Sequence, residues 1–117
     1  MLNFEKLEVW RKSIALADLV YSLTKSFPPD ERFGLTNQMR RAAVSISSNI
    51  AEGSSRTSRT DFRRFIEIAP GSAFELASQV EIALAQDFLA PESHRSIRDA
   101  VLEIVRMLSG LRDSLKD

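Results

Sequence analysis

The amino-acid sequence predicts an all-α protein, an antiparallel up-and-down four-helix bundle in which residues 1–117 form a single domain. Apolar residues recur every three or four positions along most of the chain, which is the period of one helix face. Most of the prolines and glycines lie between these amphipathic segments, so the connections are short. No segment alternates between apolar and polar residues as a half-buried strand would.

The first helix is predicted from about Asn3 to Lys25, because Pro28 and Pro29 follow and prevent its continuation. Its predicted buried face consists of Leu7, Trp10, Ile14, Ala17 and Tyr21. Further apolar residues widen this face to roughly half of the circumference, namely Val9, Leu16, Val20 and Leu23. A helix in a simple bundle needs a narrower stripe, so the extra width predicts contact with a second surface such as another subunit.

The second helix is predicted from about Leu35 to Ala51. Its predicted buried face consists of Leu35, Met39, Ala42 or Ala43, Ile46 and Ile50. Gly53 follows this segment, and we expect it to close the helix in a left-handed conformation.

Small polar residues occupy the middle of the second helix, at Ser45, Ser47, Ser48 and Asn49. Such side chains compete with helical hydrogen bonds, so their presence needs a reason. We favour packing, because small side chains let another helix approach closely; the alternative is a polar stripe that faces a partner or nucleic acid. Asn49 and Glu52 share a helix face. Together with Gly53 they form a predicted structural motif that caps the third helix or pairs with an arginine there.

The third helix is predicted to begin after Ser58, which precedes Asp61 as in a capping box, and to run to about Phe88. Its apolar stripe consists of Phe62, Phe65 or Ile66, Ala69, Ala73, Leu76, Val80 and Ala83. Pro70 lies inside the stripe and predicts a kink in one long helix, with two shorter helices as the alternative. The fourth helix begins at Pro91 and carries a heptad seam of Ile97, Val101, Ile104, Leu108, Leu111 and Leu115.

The composition excludes several classes of function. With 44% hydrophobic and 27% charged residues the chain has a globular balance, and it contains no cysteine for disulfides or thiolate chemistry. Neither a secretory signal nor an apolar run of about 20 residues is present, so we expect a cytoplasmic protein without membrane contact. His94 is the only histidine, and no glycine-rich phosphate loop occurs. We therefore expect no metal site, no cofactor and no enzymatic activity.

Arginine is distributed unevenly. Between residues 32 and 64 seven arginines stand against two carboxylates, a local charge of +5 in a chain whose net charge is zero. Arginine binds phosphate well through its planar fork of N–H groups. The candidate nucleic-acid-binding residues are therefore Arg40, Arg41, Arg56, Arg59, Arg63 and Arg64. The alternative is a solvated face with intramolecular ion pairs to Glu52, Asp61 or Glu67.

One stretch resembles the signature of the 23S rRNA-intervening-sequence protein family: residues 40–53, RRAAVSISSNIAEG. The resemblance continues through FRRF at residues 62–65 and APGSAFEL at residues 69–76, and it includes FEKLEVW at 4–10 and ERFGLT at 31–36. It implies an up-and-down four-helix bundle that assembles as a homopentameric ring. Pro70 departs from the family, which usually has a helix former such as leucine at this position.

A related branch of the family, the accessory variability determinant of diversity-generating retroelements, binds nucleic acid and a reverse transcriptase through basic surfaces. The resemblance therefore implies nucleic acid or a nucleic-acid-processing protein as a partner, and it points to the same six arginines. We expect a non-catalytic, oligomeric binding protein that contacts the backbone of RNA or DNA through an arginine belt on the second and third helices. The alternative, which the wide apolar arc of the first helix favours, is a protein-interaction scaffold with no nucleic-acid role.

Overall fold

A computed structural model of the protein describes residues 1–116. These residues form four α-helices and no strand: α1 (Glu8–Thr24), α2 (Leu35–Ser54), α3 (Arg59–Ala85) and α4 (Pro91–Ser114). Short 3₁₀ turns precede α1 and α2, at Asn3–Lys6 and Pro29–Glu31. None of the helices in this described part has the length and hydrophobicity needed to cross a membrane. The predicted all-α fold class is confirmed.

The helices form an elongated bundle that measures 46 × 21 × 21 Å. Each helix packs against its neighbours in sequence, and α1 also packs against α4, so the four helices close into a ring around one core. The connections are too short for crossovers, so consecutive helices run antiparallel. At about 1.5 Å per residue α3 alone is about 40 Å long, which accounts for the long dimension. This is the predicted up-and-down architecture.

The predicted buried faces of α2, α3 and α4 are confirmed, except that Phe62 at the start of α3 is half-buried. The largest enclosed side chains come from all four helices and include Leu16, Val20, Met39, Ile46, Ile50, Ile66, Leu76, Val80, Ile97, Ile104 and Leu108. Full burial of one such side chain contributes about 1.5–3 kcal/mol. The seam of α4 is buried at every predicted position except Leu111, which is half-buried.

The predicted start of the first helix is wrong, and its predicted buried face is confirmed only for the residues that widen it, Val9, Leu16 and Val20. The chain forms a 3₁₀ turn at Asn3–Lys6, and α1 begins only at Glu8. Ile14 and Tyr21 are each 41% exposed rather than buried. The residues that α1 buries are Val9, Ser13, Leu16, Val20 and Thr24.

Two hydroxyl residues can lie on the core face of α1 because each is satisfied within its own helix. Ser13 Oγ donates to the Trp10 carbonyl at 2.6 Å, and Thr24 Oγ1 donates to the Val20 carbonyl at 2.7 Å. A buried hydroxyl with such a partner carries little penalty. The apolar pattern alone therefore points to a face beside the true one.

Gly53 does not end α2, contrary to the prediction. The helix continues through Ser54, and no glycine in residues 1–116 has a positive φ. Gly53 lies instead where α3 approaches α2. A Cβ atom at this position would stand 2.7 Å from Phe65 Cβ and 3.2 Å from Phe62 Cδ1. The close approach of the two helices is therefore what requires glycine here.

α3 is a single helix with a side-chain cap at its start. Ser58 Oγ accepts a hydrogen bond from the Asp61 amide at 3.0 Å, as the capping pattern predicts. The helix then continues without a break across Pro70, which rules out the alternative of two shorter helices. Pro70 has no N–H to donate to the carbonyl of Ile66, and the kink at this position stays a prediction.

α3 ends at Ala85, three residues before the predicted end at Phe88. Asp87 adopts a left-handed conformation with φ of 61°. The Phe88 amide donates to the Ala83 carbonyl at 2.9 Å, and the Asp87 amide donates to the Leu84 carbonyl at 3.0 Å. This pair of bonds is the Schellman closure of a helix, which glycine usually provides.

Candidate nucleic-acid interface

The six candidate arginines lie in two groups rather than in one belt. Arg40 and Arg41 lie in the N-terminal third of α2 and form the α2 group. The other four surround the α2–α3 connection and form the connection group: Arg56, Arg59, Arg63 and Arg64. The stretch of α2 between Arg41 and Ser54 is about 20 Å long. A single short ligand contact therefore does not reach both groups within one chain.

Arg40 is held against α1. Its Nε donates to Thr24 Oγ1 at 2.9 Å, and its Nη2 donates to the Tyr21 carbonyl at 3.4 Å. The guanidinium also lies over the Tyr21 ring, 4.5 Å from the ring centroid, in a cation–π contact. These contacts tie α2 to α1 and fix the plane of the guanidinium. They use only part of its hydrogen-bonding capacity, since a guanidinium has about five N–H donors.

A groove between α1 and α2, the Tyr21 groove, contains both arginines of the α2 group. Its volume is about 490 Å³, and it is lined by Tyr21, Asn37, Arg40, Arg41, Val44 and Ser45. No carboxylate of the described chain lines it. Arg41 is exposed, and it takes part in none of the ion pairs found within residues 1–116. The groove therefore combines positive charge, an aromatic ring and two neutral polar side chains.

Ion pairs occupy most of the connection group. The pairs are Arg56–Glu52 at 3.2 Å, Arg63–Glu67 at 3.6 Å, and Arg64–Asp61. Arg59 donates to the Ser114 carbonyl at the end of α4 and so stabilises that helix terminus. These contacts correspond to the intramolecular pairing that the sequence offered as the alternative to phosphate binding. Much of the positive charge near the connection is neutralised locally.

A second groove lies beside the connection group but suits an anion less well. It is lined by Arg56, Asp61, Arg64, Phe65 and Ile68. Arg56 lies over the Phe65 ring at 4.7 Å, in the same kind of contact as Arg40 with Tyr21. The difference is the carboxylate of Asp61, which forms part of the wall and repels a phosphate.

The serines of α2 divide between packing and solvent. Ser47 is buried and donates to the Val44 carbonyl at 2.9 Å. Ser45 is half-buried and accepts a hydrogen bond at 2.8 Å from Ser72 on α3. Ser48 is exposed. Packing therefore accounts for two of the three serines, because short hydroxyl side chains let α3 lie close to α2.

The residues of the predicted structural motif act at the end of α2 but do not cap α3. Asn49 donates to the Ser45 carbonyl at 2.8 Å, within its own helix. Glu52 pairs with Arg56, which is the second of its two predicted roles. The cap of α3 is Ser58. Gly53 completes the motif by admitting α3, so all three residues shape this corner of the bundle.

A charged cluster at the α3–α4 contact was not predicted from the sequence. Glu81 Oε1 lies 2.8 Å from His94 Nε2 and also pairs with Arg98. The hydrogen bond from His94, followed by that from Arg98, holds the pKa of Glu81 below its usual range. The His94 side chain is only 19% exposed, so it forms an interhelical contact rather than a free surface group. In residues 1–116 no group of three or more His, Cys, Asp and Glu side chains is arranged to hold a metal ion.

Three large apolar residues of α3 are exposed and are candidates for a contact with another protein chain. Ile68, Phe74 and Ile82 are 50%, 57% and 51% exposed. Single exposed apolar residues are common. On the helical period Ile68 and Ile82 share a face of α3, whereas Phe74 lies roughly 120° around the helix from Ile68. The sequence did not single them out, because the core stripe of the same helix already accounts for the helical period.

Comparison with known proteins agrees with this fold. The family model for the 23S rRNA-intervening sequence protein matches residues 5–110. A crystal structure from Bacteroides thetaiotaomicron VPI-5482, of a protein with unknown function from the S23 ribosomal protein family, is similar with a TM-score of 0.78. The two chains are 26% identical, and the similarity covers 88% of this chain and 96% of that one. No match is found among curated proteins. The chain therefore belongs to the 23S rRNA-intervening sequence protein family.

Proposed function

We propose that this protein is a non-catalytic, oligomeric binding protein that contacts the backbone of RNA or DNA, with the Tyr21 groove as its main contact. The supporting observation is that two arginines and no carboxylate line the described walls of this groove. A phosphate can therefore reach Arg41 without displacing an acidic side chain. Hydrogen bonds from a guanidinium to phosphate are roughly twice as strong as those between neutral groups.

The connection group contributes less to this function. Exposed ion pairs are worth about 0–1 kcal/mol, so a phosphate can displace Glu52, Asp61 or Glu67 from its arginine. The displaced carboxylate stays nearby, however, and repels the phosphate. We therefore rank Arg41 first, and Arg56, Arg63 and Arg64 behind it. Arg59 ranks last, because its guanidinium holds the end of α4.

The proposal includes a homo-oligomer, which the family resemblance implies is a pentamer. The exposed apolar residues of α3, Ile68, Phe74 and Ile82, support it, because contact with another subunit would remove them from water. They lie on a different helix from both arginines of the groove. Assembly through α3 would leave one open groove on each protomer and would raise the local positive field. Sedimentation velocity over a range of concentrations measures the mass directly, and a monomer at every concentration contradicts this part of the proposal.

Salt-dependent binding tests the nucleic-acid function. Fluorescence anisotropy of the full chain with labelled RNA and DNA is measured at several salt concentrations, and log K should fall linearly with log[salt]. Arg41→Ala should weaken binding to every sequence and reduce the salt slope by about one. Arg106→Ala is the matched control, because Arg106 is an exposed arginine of α4. The proposal fails if the wild type does not bind at low salt, if binding ignores salt, or if both variants lose affinity equally.

A protein-interaction scaffold is the second candidate, and the arginine ion pairs favour it. Three of the six candidate arginines already pair with carboxylates of the same chain. In this function the exposed face of α3 would contact the partner through Phe74. A partner that survives nuclease digestion and is released by Phe74→Ser, while Arg41→Ala has no effect, would select the scaffold over nucleic-acid binding.

A further inference from the structure

The Tyr21 groove presents a flat, fixed surface in addition to its charge. The Arg40 guanidinium lies 4.5 Å from the centroid of the Tyr21 ring. Hydrogen bonds to Thr24 Oγ1 and to the Tyr21 carbonyl hold that guanidinium in place. Thr24 itself is only 2% exposed, so the bonded hydroxyl belongs to the core and cannot move away. The guanidinium therefore covers one face of the aromatic ring, and the pair forms a stacking platform whose orientation is set before any ligand arrives.

The groove provides the groups that one nucleotide needs. Planar bases stack on tyrosine rings and on arginine guanidinium planes, and both are present here. Arg41 can take the adjoining phosphate. Asn37 can donate to and accept from the edge of a base, whereas Ser45 can only donate, because its hydroxyl oxygen already accepts from Ser72 and Asn49. The volume of about 490 Å³ also lies within the range of roughly 300–1,000 Å³ for sites that hold small organic ligands.

We infer that the Tyr21 groove binds one nucleotide of a single-stranded nucleic acid, with the base stacked on the open face of the Tyr21–Arg40 pair and the phosphate bound by Arg41. The inference rests on the proposed nucleic-acid function and narrows the ligand to single-stranded nucleic acid. In a duplex both faces of every base are covered by neighbouring bases, so the platform has nothing to stack on. A single strand can turn a base outward onto an aromatic side chain.

The second groove has a similar cation–π contact but lacks the other features that a nucleotide needs. Arg56 over Phe65 repeats the cation–π geometry, but Glu52 occupies the guanidinium of Arg56 at 3.2 Å. Asp61 adds a further carboxylate to the wall. A nucleotide placed there would set its phosphate against two negative charges, whereas the described walls of the Tyr21 groove contain none.

Substitutions at Tyr21 separate stacking from charge. The full chain is titrated against a labelled single strand and a labelled duplex of the same length, at low salt. Tyr21→Leu should weaken single-strand binding by roughly 5- to 150-fold, the loss typical of one stacked base, and should leave duplex binding unchanged. Tyr21→Phe keeps the ring and should retain wild-type affinity. Phe33→Leu removes another exposed aromatic ring, in the α1–α2 connection and outside the lining of the Tyr21 groove, and should change neither affinity.

Each outcome decides the question. If the wild type binds the single strand and the duplex, and Tyr21→Leu does not weaken single-strand binding, the stacking inference is overturned and the proposed function stands. Equal losses on single strand and duplex also overturn it, because the ring would then act only by positioning Arg40. If the wild type binds neither the single strand nor the duplex at low salt, the proposed function and the inference are both overturned. Thermal melts confirm that each variant remains folded.

Discussion

Replacing Gly53 with alanine adds one methyl group at a close approach between α2 and α3. The new Cβ would lie 2.7 Å from Phe65 Cβ, 3.2 Å from Phe62 Cδ1 and 3.3 Å from the Phe62 carbonyl oxygen. Two of these atoms are fixed by the backbone of α3, so a change of side-chain rotamer cannot relieve the contact. α3 must move away from α2. The movement would also loosen the Ser45–Ser72 hydrogen bond between the same helices, now 2.8 Å long.

Two other glycines provide matched controls for this substitution. Gly71 of α3 and Gly110 of α4 also lie inside helices, and a Cβ at either one meets no described atom within 4 Å. Alanine is better than glycine in a helix interior by about 0.8–1.0 kcal/mol, so both controls should raise the free energy of unfolding by about 1 kcal/mol. Overpacking typically costs about 1–3 kcal/mol. Gly53→Ala should therefore be less stable than either control by about 1–3 kcal/mol.

Urea unfolding at one protein concentration measures this difference. A shift of the midpoint with an unchanged m-value gives the change in stability, and equal concentrations keep any contribution of assembly the same for all variants. If Gly53→Ala is stabilised as much as Gly71→Ala, the two helices do not approach as closely as the structure has them. That result would also argue against a left-handed helix end at Gly53, because alanine is destabilising at a position with positive φ.

Three further changes test the helix ends and the α3–α4 contact. Asp87→Gly should raise the free energy of unfolding by up to about 1 kcal/mol, because glycine adopts the left-handed conformation without strain; urea unfolding would show it. Ser58→Ala should cost about 1 kcal/mol, because the Asp61 amide loses its cap, and Ser58→Asp should retain the stability. Because the pKa of Glu81 beside His94 is lowered in the folded state, the Glu81 carboxylate stabilises the fold fully above its unfolded-state pKa. This stabilisation is lost as the pH falls through its folded-state pKa. The melting temperature of Glu81→Gln should therefore fall less than that of the wild type as the solution is acidified below about pH 4.3; parallel curves would contradict this.

The apolar period predicts most of this fold, because the burial of apolar side chains determines which face of each helix points to the core. Ile46, Leu76 and Ile104 occupy the centre of the bundle at positions that their spacing alone identifies. The same reasoning fails for α1, where Ser13 and Thr24 turn inward. Their hydroxyls bond to carbonyls of their own helix, and that compensation depends on rotamers which an apolar pattern does not contain.

Gly53 shows a second limit of the sequence. A glycine near the end of an amphipathic segment is compatible both with a left-handed helix end and with a close helix–helix contact. The two cases differ in the φ of the glycine and in what lies opposite the missing Cβ: Gly53 has no positive φ, and Phe65 of another helix lies opposite. Tyr21 shows the same limit, because its ring is apolar enough to suggest the core although it is 41% exposed and lies beneath an arginine.

For the arginines, in contrast, the sequence contains a signal that separates strong candidates from weak ones. Arg63 has Glu67 four residues ahead, and Arg64 has Asp61 three residues behind, so helix geometry alone brings each charge to its partner. Arg41 has no acidic residue three or four positions away on either side. Its charge is therefore available to a ligand wherever the helix lies on the surface. Arg59 also lacks such a neighbour, but its contact with Ser114 is 55 residues away in the chain and only the folded bundle reveals it. Spacing thus identifies the arginines that local ion pairs neutralise, whereas tertiary structure is needed to find those that hold the fold together.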